Sequence, residues 1–143
     1  MIHKTPPEKF KPIFEIVSCF IESDGEFLLL HRHPDKSQGN SWGVPAGKID
    51  KGEKALDAMK RELMEETGII KDSTDFNFFE KIYVRYPEYD FTYYMYHLPI
   101  SEKPDVKLSK DEHQNYIWTS PEKSFKLNLI RDLDSCIKMF YEN

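Results

Sequence analysis

Three glutamates, Glu62, Glu65 and Glu66, constrain what this chain can fold into more than any other feature of its sequence. They stand at positions i, i+3 and i+4, so an α-helix brings their carboxylates to one face within about a turn. Like charges at these spacings destabilise a helix by roughly 0.2–0.5 kcal/mol per pair, and the negative end of the helix dipole adds to that cost. Taken alone, a glutamate-rich helix face is most often a solvated surface. Arrangements that oppose stability also concentrate at functional sites, and a bound divalent cation would turn this repulsion into attraction.

The residues around the glutamates predict that this helix spans residues 53–67. Leu56, Met59 and Leu63 recur at helical spacing and form a stripe that a core would bury. Gly68 stands where a helix ends in the left-handed conformation, which glycine adopts without strain. The glutamates therefore fall in the last turns of the helix, where cations would be the stabilising choice.

Residues 47–69 carry a spaced pattern that is far more specific than the glutamate cluster. Its defined positions are, in chain order, Gly47, Glu53, Arg61, Glu62, Leu63, Glu65, Glu66, Gly68 and Ile69. This pattern resembles the full signature of the Nudix hydrolase superfamily, the MutT-related enzymes, and no defined position is missing. A chance match in a chain of this length is on the order of one in a million. Residues 42–46 also resemble the usual approach to the signature.

Apolar and aromatic runs elsewhere in the chain predict strands on both sides of this helix and a second helix at the end. A sheet sandwiched between helices follows from that order of elements, and the resemblance implies the same α/β Nudix fold, with a mixed sheet and a loop–helix–loop motif, in one domain over residues 1–143. Ser120 is the predicted N-cap of a short helical turn that begins at Pro121. The predicted strands are residues 13–21, 27–30, 76–86, 91–98 and 116–119, residues 104–114 form a loop, and the last helix is residues 128–141.

The resemblance implies a metal site that holds Mg²⁺ or Mn²⁺. Glu62, Glu65 and Glu66 would be its ligands, with the backbone carbonyl of Ala46 as an additional one. Arg61 would support this catalytic segment by pairing with the carboxylate of Glu53, which makes Glu53 a supporting residue rather than a ligand.

The general base that takes a proton from the attacking water is left open by the sequence. In some relatives the base is the first glutamate of the cluster, here Glu62, and in others it comes from a downstream loop. Glu112 resembles the acidic residue of such loops because it precedes a strand that carries Trp118. His113 stands where GDP-mannose mannosyl hydrolases place a histidine base, although a loop histidine bonded to backbone is the more common situation.

Substrate contacts are less clearly encoded. Arg32 follows the second strand, where relatives often place an arginine that contacts the substrate, and His113 is a further candidate. Tyr83 and Tyr86 could stack on a nucleobase, although aromatic residues at strand spacing are more often core or cross-strand pairs. Tyr86 and Pro87 both fall where different branches of the superfamily carry a marker residue, so that marker does not select a branch.

The expected activity is hydrolysis of a nucleoside diphosphate linked to another group. The preferred substrates are nucleoside triphosphates, cut to the monophosphate and pyrophosphate by attack of water at phosphorus. Three enzymatic alternatives stay open: a sugar-nucleotide hydrolase that uses His113, an ADP-ribose hydrolase and a diadenosine polyphosphate hydrolase. A catalytically inactive module that binds a nucleotide is a further alternative, which the complete set of carboxylates disfavours.

Composition excludes several other classes of protein. The 143 residues have a net charge of −5, which disfavours stable nucleic-acid binding through a broad basic surface. Only two cysteines are present, too few for a disulfide framework, and no apolar run reaches the roughly 20 residues of a membrane span. These features favour a cytoplasmic protein that acts on small-molecule nucleotides or nucleotide sugars, and they leave a homodimer open.

Overall fold

The computed structural model describes residues 1–142 and consists of a mixed β-sheet with helices packed against both faces. The helices are α1 (Ala55–Thr67), α2 (Pro121–Ser124) and α3 (Leu133–Tyr141), and a 3-10 turn covers Ser73–Asp75. The strands are β1 (Ile2–His3), β2 (Pro12–Ser23), β3 (Glu26–Arg32), β4 (Trp42–Gly43), β5 (Ala46–Lys48), β6 (Asn77–Arg85), β7 (Asp90–Pro99) and β8 (His113–Thr119).

The sheet is organised around the long strand β2. The strands of the sheet lie in the order β1-β6-β7-β2-β3-β4. β5 pairs with β2, and β8 pairs with β3. β2 is parallel to β7 and antiparallel to β3 and β5, so the predicted mixed sheet is confirmed. β2 and β3 pair only beside their connecting turn, at Glu22↔Phe27 and Ser23↔Glu26. Beyond that turn the two strands diverge, and the gap between β5 and the far end of β3 leads into a cleft that the carboxylates of α1 line.

The hairpin predicted from residues 13–21 and 27–30 is confirmed, although both strands are longer than the sequence indicated. Asp24 and Gly25 both have positive φ angles, of 53° and 74°. A two-residue connection with this backbone matches the right-handed twist of the flanking strands. Glycine at the second position adopts it without steric strain.

Two apolar clusters hold the helices on the sheet. On one face, Met59 and Leu63 of α1 pack with Val17 and Ile21 of β2. On the other face, α3 packs against residues that alternate with these along β2 and against β3 and β6. The prediction for α1 is confirmed: its stripe is buried, and Gly68 ends it with φ 76°. The helix starts at Ala55, two residues later than predicted.

The last helix begins five residues later than the predicted range of 128–141. Residues 128–132 are not helical, because the backbone of Trp42 donates to Asn128 and accepts from Ile130. These bonds extend the sheet at its β4 edge, and they engage the carbonyl of Asn128, which a helix starting there would use. The spacing of Leu129 from Leu133 fits a helical stripe, but Leu129 bridges to Trp42 instead. Pairing with a distant strand therefore outweighs local periodicity here.

The strand predicted as 116–119 is longer at its N-terminal end. β8 begins at His113 and pairs with β3 as far as Arg32↔His113, with an irregularity just before that pair. His113 was predicted to lie in a polar loop and is instead a buried strand residue. The Ser120 cap is confirmed, since its side chain accepts from the backbone N–H of Lys123. Among residues 1–142, no helix has the length and apolar character needed to cross a membrane.

Candidate active site

The carboxylates of Glu62 and Glu66 on α1 face the short strand β5. Glu66 is only 5% exposed, and its Oε1 accepts a hydrogen bond from the backbone N–H of Ala46 at 3.0 Å. The carboxylate of Glu62 lies directly against Gly47, where a Cβ atom would overlap it. A side chain at position 47 would therefore displace the carboxylate of Glu62 from its place beside β5. This contact gives a physical reason for the first glycine of the sequence pattern.

Arg61 joins the loop before α1 to the helix itself. Its Nε and Nη2 donate to the two carboxylate oxygens of Glu53, both at 2.9 Å, and Nη2 also donates to the backbone carbonyl of Lys48 at 3.0 Å. Hydrogen bonds from Arg61, followed by one from the backbone of Asp50, lower the pKa of Glu53 to about 2. The predicted pairing of Arg61 with Glu53 is thus present.

The third glutamate of the cluster, Glu65, is oriented differently from the other two. Its side chain is 48% exposed, and Oε1 accepts from Nη1 of Arg61 at 3.0 Å. The same nitrogen donates to Oε1 of Glu62 at 2.9 Å. Glu65 therefore lies at the solvent edge of the site, while Glu66 lies at its buried end.

Glu112, which directly precedes β8, and His113, the first residue of β8, are two further candidates beside Glu66. One ligand atom each from Glu66, Glu112 and His113 lies within 4.8 Å of the others. The backbone of Glu112 is held beside the site by two hydrogen bonds. Its N–H donates to the carbonyl of Ser109, and its carbonyl accepts from the N–H of His33. His113 is 5% exposed, and its Nδ1 has no hydrogen-bond partner within residues 1–142.

Burial and mutual repulsion dominate the electrostatics of these groups. Burial raises the pKa of Glu66 well above its usual value, the charges of Glu62 and Glu112 raise it further, and the Ala46 hydrogen bond opposes the shift. Burial also raises the pKa of Glu62, against the hydrogen bond from Arg61. Burial, with a smaller contribution from Arg32, lowers the pKa of His113 to about 4. The site therefore holds more anionic groups than its own cations compensate.

A cleft of about 680 Å³ leads away from the carboxylates. Its lining includes the carboxylate residues Glu62, Glu66 and Glu112 and the cationic residues Arg32 and Lys36. The other lining residues are largely apolar and aromatic, among them Phe14, Ile16, Ile82, Val84, Tyr86, Tyr89, Phe91, Tyr93, Ile130 and Leu133. A ligand that carries an aromatic ring and an anionic group fits this lining when a cation neutralises the carboxylates.

The structure brings Tyr86 to the cleft but not Tyr83. Ile82 and Val84 of β6 line the cleft, so Tyr83 between them points to the opposite face of the sheet. There its ring packs edge-on against Phe10, with the ammonium of Lys81 over it. Tyr83 therefore lies on the face of the sheet opposite to the cleft, and this geometry does not support its predicted contact with substrate.

Sequence reasoning missed the residues at the far end of the cleft. The guanidinium of Arg131 lies 3.8 Å from the ring centroid of Tyr86, and Glu88 pairs with it at 3.1 Å. Asp132, with φ 66°, precedes α3 and also lines the cleft. Its Oδ2 is buried without a hydrogen-bond partner among the described residues, and is 3.8 Å from the N-terminal ammonium of Met1. An aspartate directly before an apolar helical run is a typical N-cap, and that signal could have shortened the predicted helix.

Comparison with known proteins defines the class to which this fold and site belong. A family model described as the NUDIX domain matches residues 13–139. The CTP pyrophosphohydrolase of Escherichia coli K12 is 31% identical over 119 residues, covering 82% of this chain and 83% of that protein. The nucleoside triphosphatase NudI of Escherichia coli O81 is 28% identical over 116 residues, covering 75% and 82%. The crystal structure of a MutT protein from Methanosarcina mazei Go1 has a TM-score of 0.77 at 28% identity, covering 92% of this chain and 95% of that one. The chain belongs to the Nudix family. Within it, the chain is a pyrophosphohydrolase, as the sequence predicted.

Proposed function

We propose that this enzyme hydrolyses nucleoside triphosphates to the monophosphate and pyrophosphate, by attack of water at phosphorus. The observation that carries the proposal is the cleft, whose lining combines clustered carboxylates with aromatic rings. A nucleoside triphosphate carries the matching phosphates and base. Two of the similar proteins reported above are named as a CTP pyrophosphohydrolase and a nucleoside triphosphatase.

The activity depends on Mg²⁺ or Mn²⁺, and the donor set supports this part of the proposal. Glu62, Glu66 and Glu112 crowd together, and the pKa of both Glu62 and Glu66 is raised by burial and by the neighbouring carboxylates. Hard divalent ions such as Mg²⁺ bind to clusters of carboxylate oxygens whose negative charge nearby cations do not neutralise. Glu62, Glu66, Glu112 and the backbone carbonyl of Ala46 would hold the ion, and Glu65 would join them after leaving Arg61. When bound, the cation supplies positive charge against the phosphates and increases the acidity of water.

The cationic side chains near the carboxylates position the phosphates. Nε of Arg32 donates to the backbone carbonyl of Ser37 at 2.9 Å, which holds the guanidinium beside the cleft. Lys36 also lines the cleft. Both groups stabilise the negative charge of the phosphate chain without reacting.

Glu112 is the general base in this proposal. It is exposed and directly precedes β8, and its carboxylate belongs to the cluster with Glu66. The carboxylate of Glu62, in contrast, already accepts a hydrogen bond from Arg61. A carboxylate oxygen of Glu112 would take the proton from the attacking water and later release it to solvent. Glu62 stays the alternative base, and mutation distinguishes the two.

The aromatic side chains of the cleft bind the base in this proposal. Tyr86 lines the cleft with the guanidinium of Arg131 3.8 Å from its ring centroid, and these two planar groups would stack with a base. Oδ2 of Asp132 makes no hydrogen bond within residues 1–142, and its neighbours are the ammonium of Met1, at 3.8 Å, and the hydroxyl of Tyr86. As an acceptor it suits an exocyclic amino group of cytosine, adenine or guanine. The carbonyl at the corresponding position of uracil would face this carboxylate unfavourably. The structure therefore favours substrates whose base carries an amino group.

A substrate panel tests the proposed function. The purified protein is incubated with Mg²⁺ or Mn²⁺ and nucleoside triphosphates, sugar nucleotides, ADP-ribose and diadenosine polyphosphates, and the products are identified by mass spectrometry. We expect a nucleoside monophosphate and pyrophosphate from triphosphates. Hydrolysis in ¹⁸O water then places the label in a phosphate product. Label in a released sugar would instead support the sugar-nucleotide alternative, and no turnover of any compound would refute the proposal.

A further inference from the structure

The buried end of the proposed metal site contains a nitrogen atom as well as carboxylate oxygens. One ring nitrogen of His113 lies within 4.8 Å of a carboxylate oxygen of Glu66 and of Glu112. His113 is only 5% exposed to solvent, and its Nδ1 has no hydrogen-bond partner within residues 1–142. Buried polar atoms of native proteins almost always have a partner, so this nitrogen requires an explanation.

The backbone around His113 holds the ring where it is. The backbone N–H of His113 donates to the carbonyl of Ser109 at 2.9 Å, and His113 pairs in register with Arg32 of β3. The carbonyl of Glu112 accepts from the backbone N–H of His33 at 2.8 Å. Glu112 and His113 are therefore held by hydrogen bonds of their backbones. Their side chains are not needed for these bonds and can bind a metal ion.

We propose that His113 is a nitrogen ligand of the divalent cation, so that this site holds a first-row transition ion such as Mn²⁺ more tightly than Mg²⁺. This inference rests on the proposed metal-dependent hydrolysis and adds a donor that the carboxylate pattern of α1 does not contain. Imidazole nitrogen binds transition ions readily, whereas Mg²⁺ strongly prefers oxygen. Coordination of the ion by a ring nitrogen would give the buried imidazole of His113 a polar partner. This assignment replaces the roles of His113 as a general base or a substrate contact.

Electron spin-echo spectroscopy of the Mn²⁺-loaded protein tests the inference without substrate. We expect modulation from a directly coordinated nitrogen in the wild-type protein, and a change in its frequency after labelling with ¹⁵N-histidine. The modulation disappears in His113→Gln and is kept in His33→Gln, a matched change in the neighbouring strand connection. Mn²⁺ bound with no nitrogen modulation, or modulation that survives in His113→Gln, overturns the inference.

Metal titration gives a second measurement that does not depend on activity. We expect the Kd for Mn²⁺ to rise about tenfold or more in His113→Gln. The Kd for Mg²⁺, measured by competition, should change much less, so the preference for Mn²⁺ falls. An equal loss for both ions overturns the inference. Circular dichroism of the metal-free variants checks that they fold. If His113→Gln does not fold, the electron spin-echo spectrum of the ¹⁵N-histidine-labelled wild-type protein shows whether a histidine nitrogen is coordinated.

The failure of this inference is distinguishable from failure of the proposed function. Mn²⁺ bound through oxygen alone, with triphosphate hydrolysis intact, overturns only the role of His113. No binding of Mn²⁺ together with no hydrolysis overturns both proposals.

Discussion

The backbone N–H of Ala46 donates to Oε1 of Glu66 at 3.0 Å, so the strand before the loop meets the last turn of α1 at one buried carboxylate. This hydrogen bond orients Glu66 within the proposed site and partly offsets its burial. It also places the backbone of Ala46, a proposed ligand, beside the carboxylate that would share the ion. The loop and the helix are therefore positioned by the same contact.

Replacing Glu66 with Gln should remove most metal binding and lower kcat by about 10²-fold or more, because a carboxylate ligand is lost. Folding should be unimpaired, since the amide oxygen can still accept from Ala46 and a buried, repelled charge is removed. Calorimetric titration of Mn²⁺ and thermal unfolding check both expectations. Glu65→Gln should also weaken binding, and Asp57→Asn, on the exposed side of α1, is the control. Wild-type turnover in Glu66→Gln would refute its role.

Replacing Arg61 with Lys should lower both the melting temperature and kcat. Lysine keeps the positive charge but cannot form the two parallel hydrogen bonds to Glu53 together with those to Glu62 and Glu65. The loop before α1 would then lose its connection to the helix. Thermal unfolding of the metal-free protein separates this effect from metal binding. Unchanged stability with lost activity would indicate instead that Arg61 acts directly on the substrate.

Replacing Glu112 with Gln should lower kcat by about 10²- to 10⁴-fold and leave nucleotide affinity nearly unchanged, if Glu112 is the general base. Single-turnover kinetics and equilibrium nucleotide binding measure the two quantities. A small effect on kcat, together with a large one for Glu62→Gln, would transfer the role of base to α1. Because Glu112 would also contact the ion, Mn²⁺ affinity must be measured in the same variant.

Replacing Asp132 with Ala should lower kcat/KM for CTP by roughly 10- to 100-fold, the loss expected for a hydrogen bond to a charged group. UTP should be affected much less, because it differs from CTP in carrying a carbonyl where CTP carries the amino group. The two pyrimidine nucleotides thus form a matched pair, and steady-state kinetics with both provides the measurement. Equal losses for CTP and UTP would show that Asp132 supports the cleft without reading the base.

The stability of the fold should depend on Asp90 at acidic pH. Hydrogen bonds from Arg85, and then from the backbone of Lys11, lower the pKa of Asp90 from 3.8 to about 2. A lowered carboxyl pKa contributes stability above the pKa of the unfolded chain, and this contribution is lost as pH falls from about 4 towards 2. Urea unfolding should therefore show a smaller loss of stability over this range in Asp90→Asn than in the wild type. Asp57→Asn is the exposed control, and equal losses in all three proteins would refute the assignment.

Much of the catalytic segment could be predicted from the sequence because its determinants are local. Leu56, Met59 and Leu63 define the buried stripe of α1, and Gly68 ends the helix as expected. The close contact of Gly47 with the carboxylate of Glu62 and the pairing of Arg61 with Glu53 also agree with the pattern. Each of these features involves residues close in sequence or part of one spaced motif.

The errors arose where distant residues compete with local preference. Residues 128–132 have helical periodicity but pair with Trp42, which is remote in sequence. His113 follows a polar stretch, yet its pairing with Arg32 draws it into the sheet and buries it. No local signal reports such a pairing, because its free energy comes from contacts that form only when the chain has folded.

The sequence by itself determined the family, the pyrophosphohydrolase chemistry and the helix that carries the glutamates, because spacing along one helix specifies which side chains share a face. Only the tertiary structure decided which of those side chains are buried together. It separated Glu65 from Glu66, directed Tyr86 into the cleft and Tyr83 away from it, and brought His113 to the carboxylates. The physical reason is that strand register and sheet face depend on backbone hydrogen bonds between remote segments, and a shift of one residue reverses the direction of every side chain.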